Sequence, residues 1–171
     1  MAIHGWFTGR ACFAVSASAL LLCACSGQRS RESLTTELVR ASFQCQPREI
    51  DKLVRQGADV NAVGHPGGEK PLRVAAVYGH VECVKKLLAL GADPLLTGRS
   101  AQSQQEARPS VAVREAMVIL EQAKKSTPEQ LRANLTLKKA LDRGVQDETY
   151  QEILRVLGEA EADRLGQSAR K

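Results

Sequence analysis

Beyond residue 25, four side chains of this 171-residue sequence are thiols or imidazoles of the kinds that hold a structural zinc ion: Cys45, His65, His80 and Cys83. Such a site needs four converging thiolate or imidazole ligands, and His80-x-x-Cys83 has the separation of half of one. Other chemistry is sparser. Gly67-Gly68-Glu69-Lys70 sets glycines before a lysine, as a phosphate cradle does, but without the preceding strand or the full spacing. No serine stands in a Gly-x-Ser-x-Gly elbow. Glu159 and Glu161 lie in an Ala-rich helical stretch, where a solvated face accounts for them. These residues predict neither catalysis nor a cofactor, and the metal reading turns on where the surrounding elements place the four ligands.

Those elements repeat. Gly-Ala-Asp at 57–59 returns at 91–93, an offset of 34 residues. In that register Leu38 pairs with Leu72, Ala41 with Ala75, Ile50 with Val84 and Leu53 with Leu87. Apolar positions matching apolar ones at a fixed offset mark an internal repeat. Each unit divides into two short helices. Leu72, Ala75 and Ala76 form a small-residue helix that permits close packing. After His80, the residues Cys83, Val84, Leu87 and Leu88 share one face of a second helix. Gly57 and Gly91 stop their helices, because the last turn closes most readily through a left-handed residue. Pro47 belongs at a first helical position, where its missing N–H costs nothing.

The run Pro71-Leu72, Ala75-Ala76, Gly79-His80, Leu87-Leu88, Gly91-Ala92-Asp93 resembles the ankyrin repeat. The likeness is dense over 57–94 and fair over 35–56. It implies an all-α fold, an α-solenoid of about three helix-turn-helix repeats (35–62, 63–94 and 95–125), followed by a C-terminal helical cap or extension over 126–171. The family's usual Thr and His are here Lys70 and Arg73, so the hydrogen bond that steadies the family's turn is missing. The loop 63–69 is one residue longer than usual, and its tip is expected to be mobile and polar. In the third unit 112–123 reads as the second helix, with Ala116, Val118, Ile119 and Leu120. By the resemblance, His80 is the helix-starting histidine and Cys83 a core residue, which favours structure over zinc.

Beyond the repeats, Thr127-Pro128-Glu129-Gln130 has the pattern of a capping box. A helix is predicted from there to about Arg143, then one capped by Asp147 with Tyr150, Ile153, Leu154 and Leu157 on one face. The last residues, GQSARK, are expected to fray.

The N-terminus tells of destination. Residues 1–24 carry Arg10, no acid, and an apolar stretch from Ala11 to Leu22 of signal-peptide length. Leu22-Cys23-Ala24-Cys25 resembles the lipobox of bacterial lipoproteins, which implies cleavage before Cys25, acylation of that residue and a membrane anchor. Ser26 is not the retention residue, so an outer-membrane position facing the periplasm is implied; an ordinary secretory peptide cut near Ala24 is the alternative. Residues 25–34 then form a tether. Loss of 1–24 removes Arg10 alone among acids and bases, turning 24 basic residues into 23 against 19 acidic ones. So small a surplus does not point to nucleic acid. The pairs Lys85-Lys86, Lys124-Lys125 and Lys138-Lys139 fit solvated helix faces. Cys45 and Cys83 would remain in an oxidising space that permits a disulfide. Bridging needs Cα atoms within about 7 Å, and two buried or half-buried free thiols are the expected state.

In ankyrin stacks the turn tips and first helices line a concave face that grips proteins. Carried over, this implies Pro66, Gly67, Glu69, Lys70, Arg73, Val77 and Tyr78 as partner contacts, with Tyr78 foremost; the alternative is that Tyr78 shields a neighbouring helix. The expected function is an anchored module that binds a periplasmic protein as scaffold or inhibitor, of immunity type for instance. The rival is a structural envelope factor docked through its C-terminal helices. A catalytic or zinc-binding role comes third, and no small-molecule substrate is expected.

Overall fold

A computed structural model describes residues 30–64, 68–99 and 106–170. Eight helices stand in this region: α1 (Arg31–Phe43), α2 (Pro47–Arg55), α3 (Pro71–Val77), α4 (Val81–Ala89), α5 (Pro109–Lys125), α6 (Pro128–Ala133), α7 (Leu135–Asp142) and α8 (Asp147–Ser168). The only strands among the described residues are β1 (Gly98–Arg99) and β2 (Glu106–Ala107), an antiparallel pair of two residues each. The fold is therefore an all-α, ankyrin-like repeat stack.

Local chemistry explains the helix ends. Proline opens α2, α3, α5 and α6 at the first turn, where a missing N–H is no loss. Gly57 (φ 101°) and Gly91 (φ 91°) close α2 and α4 in left-handed geometry. In both, the following alanine N–H reaches back to a leucine carbonyl: Ala58 to Leu53 and Ala92 to Leu87, each at 3.0 Å. These are Schellman caps, and the equivalence of the two repeats extends to them.

The helices form two rows. α1, α3 and α5 pack side by side in the first, while α2, α4 and α8 pack in the second. Each first-row helix also packs on its second-row partner, giving three layers around one core. Leu38, Ala41, Ile50 and Leu53 are buried in the first layer, Leu72, Ala75, Val84 and Leu87 in the second, and Val113, Ala116, Tyr150, Ile153 and Leu157 in the third. Each unit buries its apolar faces only against its neighbours, as stacked repeats must.

The third layer departs from the sequence reading. The segment 112–123 belongs to a first-row helix, and the second-row place beside it is taken by α8, so the boundary expected at 125/126 falls within a layer. Between the two lie α6 and α7, an insertion with a small core of its own, in which Ala123 of α5 meets Leu137 and Ala140 of α7. Pro109 begins α5. The helix predicted over 128–143 is broken at Asn134, whose side chain accepts from the N–H groups of Thr136 and Leu137 and so caps a new helix. The capping box at Thr127 and Gln130 is present in both directions. α1 starts at Arg31, inside the expected tether, and α8 is helical through Ser168 where fraying was expected.

Candidate protein-interaction surface

The stack offers a row of fingers. The first is closed by a bridge between Gly64 and Glu69, with the Gly64 N–H bonded to the Glu69 carbonyl at 2.9 Å; β1 and β2 form the second. The tip of the first, with Pro66, Gly67 and His65, lies outside the described residues, as does Cys25. Close to the fingers along the chain stand exposed Val63, Leu96 and Val111.

Lys70 and Arg73 are both engaged within the chain. Lys70 donates its ammonium to the Asn61 carbonyl at 2.6 Å. Asn61 in turn donates its amide to the Gly91 carbonyl and accepts from the Asp93 N–H, tying the turn after α2 to the turn after α4. Arg73 is 5% exposed and pairs with Glu69 at 3.0 Å, with its Nε unpartnered among the described residues. The two cations thus brace the turn that the Thr and His of the family would hold.

Tyr78 is also engaged. It is half-buried, its ring meets that of Phe43 edge-on with centroids 4.5 Å apart, and the Arg143 guanidinium lies 4.8 Å over it. Such stacking on a ring face stabilises through the ring quadrupole. Tyr78 thereby joins α1, α3 and the segment after α7. The Val77 carbonyl accepts the Tyr150 hydroxyl at 2.9 Å, so the lower end of α3 is covered by the chain itself. Phe43, at 47% exposed, is the aromatic surface left open there. Sequence reasoning passed over Phe43 and the part played by Arg143 in this cluster. Tyr150 alone was signalled, by the periodicity of its helix.

Three of the four candidate metal ligands, Cys45, His80 and Cys83, are engaged otherwise, and His65 lies outside the described residues. Cys45 and Cys83 are joined in a disulfide, with Cα atoms 5.7 Å apart. This corrects the expectation of free thiols; the loop after α1 swings one thiol over the next unit's second helix. The His80 Nε2 donates to the Phe43 carbonyl at 2.9 Å, since a carbonyl can only accept. Among the described residues no three of His, Cys, Asp and Glu are grouped to hold a metal.

Charge on the second row is paired across layers. Lys86 meets Asp51 at 2.6 Å and Lys85 meets Glu152 at 3.0 Å. Glu152 also accepts from Arg155, which with Lys85 holds its carboxyl far below the ordinary value, at about 2. Lys124 meets Asp147 at 2.5 Å, and this hydrogen bond raises its pKa. These are exposed contacts that set register more than they add stability.

With this geometry in place, the comparison with known families is specific: residues 67–99 match the ankyrin repeat model. That segment takes in the returning half of the first finger, α3, α4 and the start of the second finger. No curated protein matches the chain. Ankyrin repeats are protein-interaction modules, and the broad function of this repeat is of that kind.

Proposed function

We propose that this chain is a lipid-anchored periplasmic protein that holds another protein along its finger edge, as scaffold or inhibitor. The single observation that carries the compartment is the Cys45–Cys83 disulfide, a bond that persists in oxidising spaces and is rare in the cytosol. The leader and lipobox of residues 1–25 agree with it. Among the described residues no helix is long and apolar enough to cross a membrane; in this reading the anchor is acylated Cys25. In this reading the contact surface comprises exposed Val63, Leu96 and Val111, together with Pro66 and Gly67 of the 63–69 loop. A small stack fits an interface near the lower end of the standard range, about 1,200 Å².

Metabolic labelling with a palmitate analogue tests the anchor. Label in the wild type, lost in Cys25→Ala together with membrane fractionation, is the expected result; label retained in that variant overturns it. Photocrosslinkers at Val63 and Val111 should capture the same protein, and one at exposed Arg48 on the second row should not.

A second reading is favoured by Leu135 and Leu165, both more than half exposed on the C-terminal helices. They suit docking on an envelope assembly. Leu135→Glu would abolish capture under this reading and leave it intact under the first.

A further inference from the structure

We propose that Cys45 is the sulfur at which a dithiol–disulfide oxidoreductase makes and unmakes the Cys45–Cys83 bond, with Cys83 as the resolving thiol, and that opening this bond loosens the first repeat from the second. The proposal does not depend on the lipid anchor.

The two cysteines are unequal. Cys83 is 0% exposed within α4, in the central core cluster. A protein disulfide cannot approach its sulfur while the stack is folded, and thiol exchange is governed by access as well as by thiolate character. Cys45 is half-buried in the surface turn between α1 and α2. It has φ 45°, the only positive value among non-glycine residues described. One repeat later the same place is Gly79, with φ 79°. Left-handed geometry suits glycine and disfavours a side chain, so Cys45 is held in a conformation its type resists. The turn hydrogen bonds, Gln46 N–H to the Ala41 carbonyl at 2.9 Å and Cys45 N–H to that of Ser42 at 3.4 Å, share in holding it. Released from Cys83, the turn gains an incentive to relax. The same corner carries the His80–Phe43 hydrogen bond and the Phe43–Tyr78 ring contact, both two residues from Cys45, so relaxation there acts directly on the docking of the first repeat.

The chemistry balances without any further reactant. On closing, the Cys45 thiolate attacks the disulfide of the oxidised partner, forming a mixed disulfide and expelling one partner thiolate, which takes a proton. The Cys83 thiolate then attacks the Cys45 sulfur and expels the second partner thiolate. Two thiols of this chain lose two electrons and the partner disulfide becomes a dithiol. Opening runs the same steps backwards from a reduced partner attacking Cys45.

Oxidised glutathione is a suitable probe, with adducts assigned by peptide mass mapping so that each cysteine is read separately. In native buffer, Cys45 in Cys83→Ser should form its adduct at least about tenfold faster than Cys83 in Cys45→Ser, and the two rates should converge in urea. Equal or reversed native rates overturn the assignment. If either variant fails to fold by circular dichroism, the reduced wild type decides: a first adduct at Cys45 supports the proposal and a first adduct at Cys83 refutes it. Hydrogen exchange reads the second half. Reduction of the wild type should speed exchange over 31–55 and leave 109–125 unchanged; unaltered exchange over 31–55 shows that the bond does not control docking.

Discussion

The hydroxyl of Tyr150 donates to the carbonyl of Val77 at 2.9 Å, joining residues 73 positions apart in sequence. Tyr150 is 2% exposed, and through this contact the last helix takes the second-row place in the third layer. A helix that might have trailed from the domain is thereby part of its core.

Tyr150→Phe should cost about 1 kcal/mol, the net worth of a typical hydrogen bond. Tyr150→Ala should cost about 3–5 kcal/mol, because it also empties a large buried volume. Urea titration followed by circular dichroism measures both. Burial raises the phenol pKa above its ordinary value of 10.0. The wild type should accordingly lose stability as pH rises past 10 and through the folded value, and Tyr150→Phe should lack that decline.

Glycines at 79 and 91 separate two penalties. Both are left-handed, but a Cβ at Gly91 meets nothing within 4 Å, while one at Gly79 would come within 2.5 Å of Val145 Cγ1. Gly91→Ala should cost about 1–2 kcal/mol from backbone geometry alone. Gly79→Ala should cost more, since the loop before α8 must also retreat. Equal midpoints in urea for the two variants would contradict this.

The turn brace gives an ordering. Glu69→Ala leaves the guanidinium of Arg73 buried with its ion pair removed and should cost on the order of 3 kcal/mol. Arg73→Met removes the buried charge and keeps most of the volume, and should be the milder change. Thermal melts of the two variants in one buffer check the order.

The Lys85–Glu152–Arg155 cluster makes an acid prediction. Glu152 has its pKa lowered from 4.5 to about 2 by the Arg155 hydrogen bond first and Lys85 second. A carboxylate depressed in the folded state contributes fully above its unfolded value and loses that contribution as pH falls from about 4.5 to about 2. Between those limits the wild type should lose stability faster than Glu152→Gln, by melting temperature at matched ionic strength. The carboxylate is exposed, so added salt should shrink the difference.

How much could be read beforehand differs by element. The caps at Gly57 and Gly91 and the box at Thr127–Gln130 were legible because they involve neighbours within a few residues. The pairing of Leu38 with Leu72 and Leu53 with Leu87 was legible because each repeat meets the same surroundings as the last. The intramolecular partners of Lys70 and Arg73, the Asn61 carbonyl and Glu69, were not legible because they come together only once the finger closes. The contact over Tyr78 was not legible for a similar reason: Arg143 arrives from a distant part of the chain.

The order of residues alone determined the unit of this protein: paired helices with apolar faces at fixed spacing, the second helix of each of the first two pairs stopped by a left-handed glycine, since these depend on contacts local in sequence. Tertiary packing alone decided which helix completes the third layer, that Cys45 reaches Cys83, and which side chains remain free for a partner. Those outcomes rest on distances between segments far apart in the chain, and only the closing of one layer on the next brings those segments together.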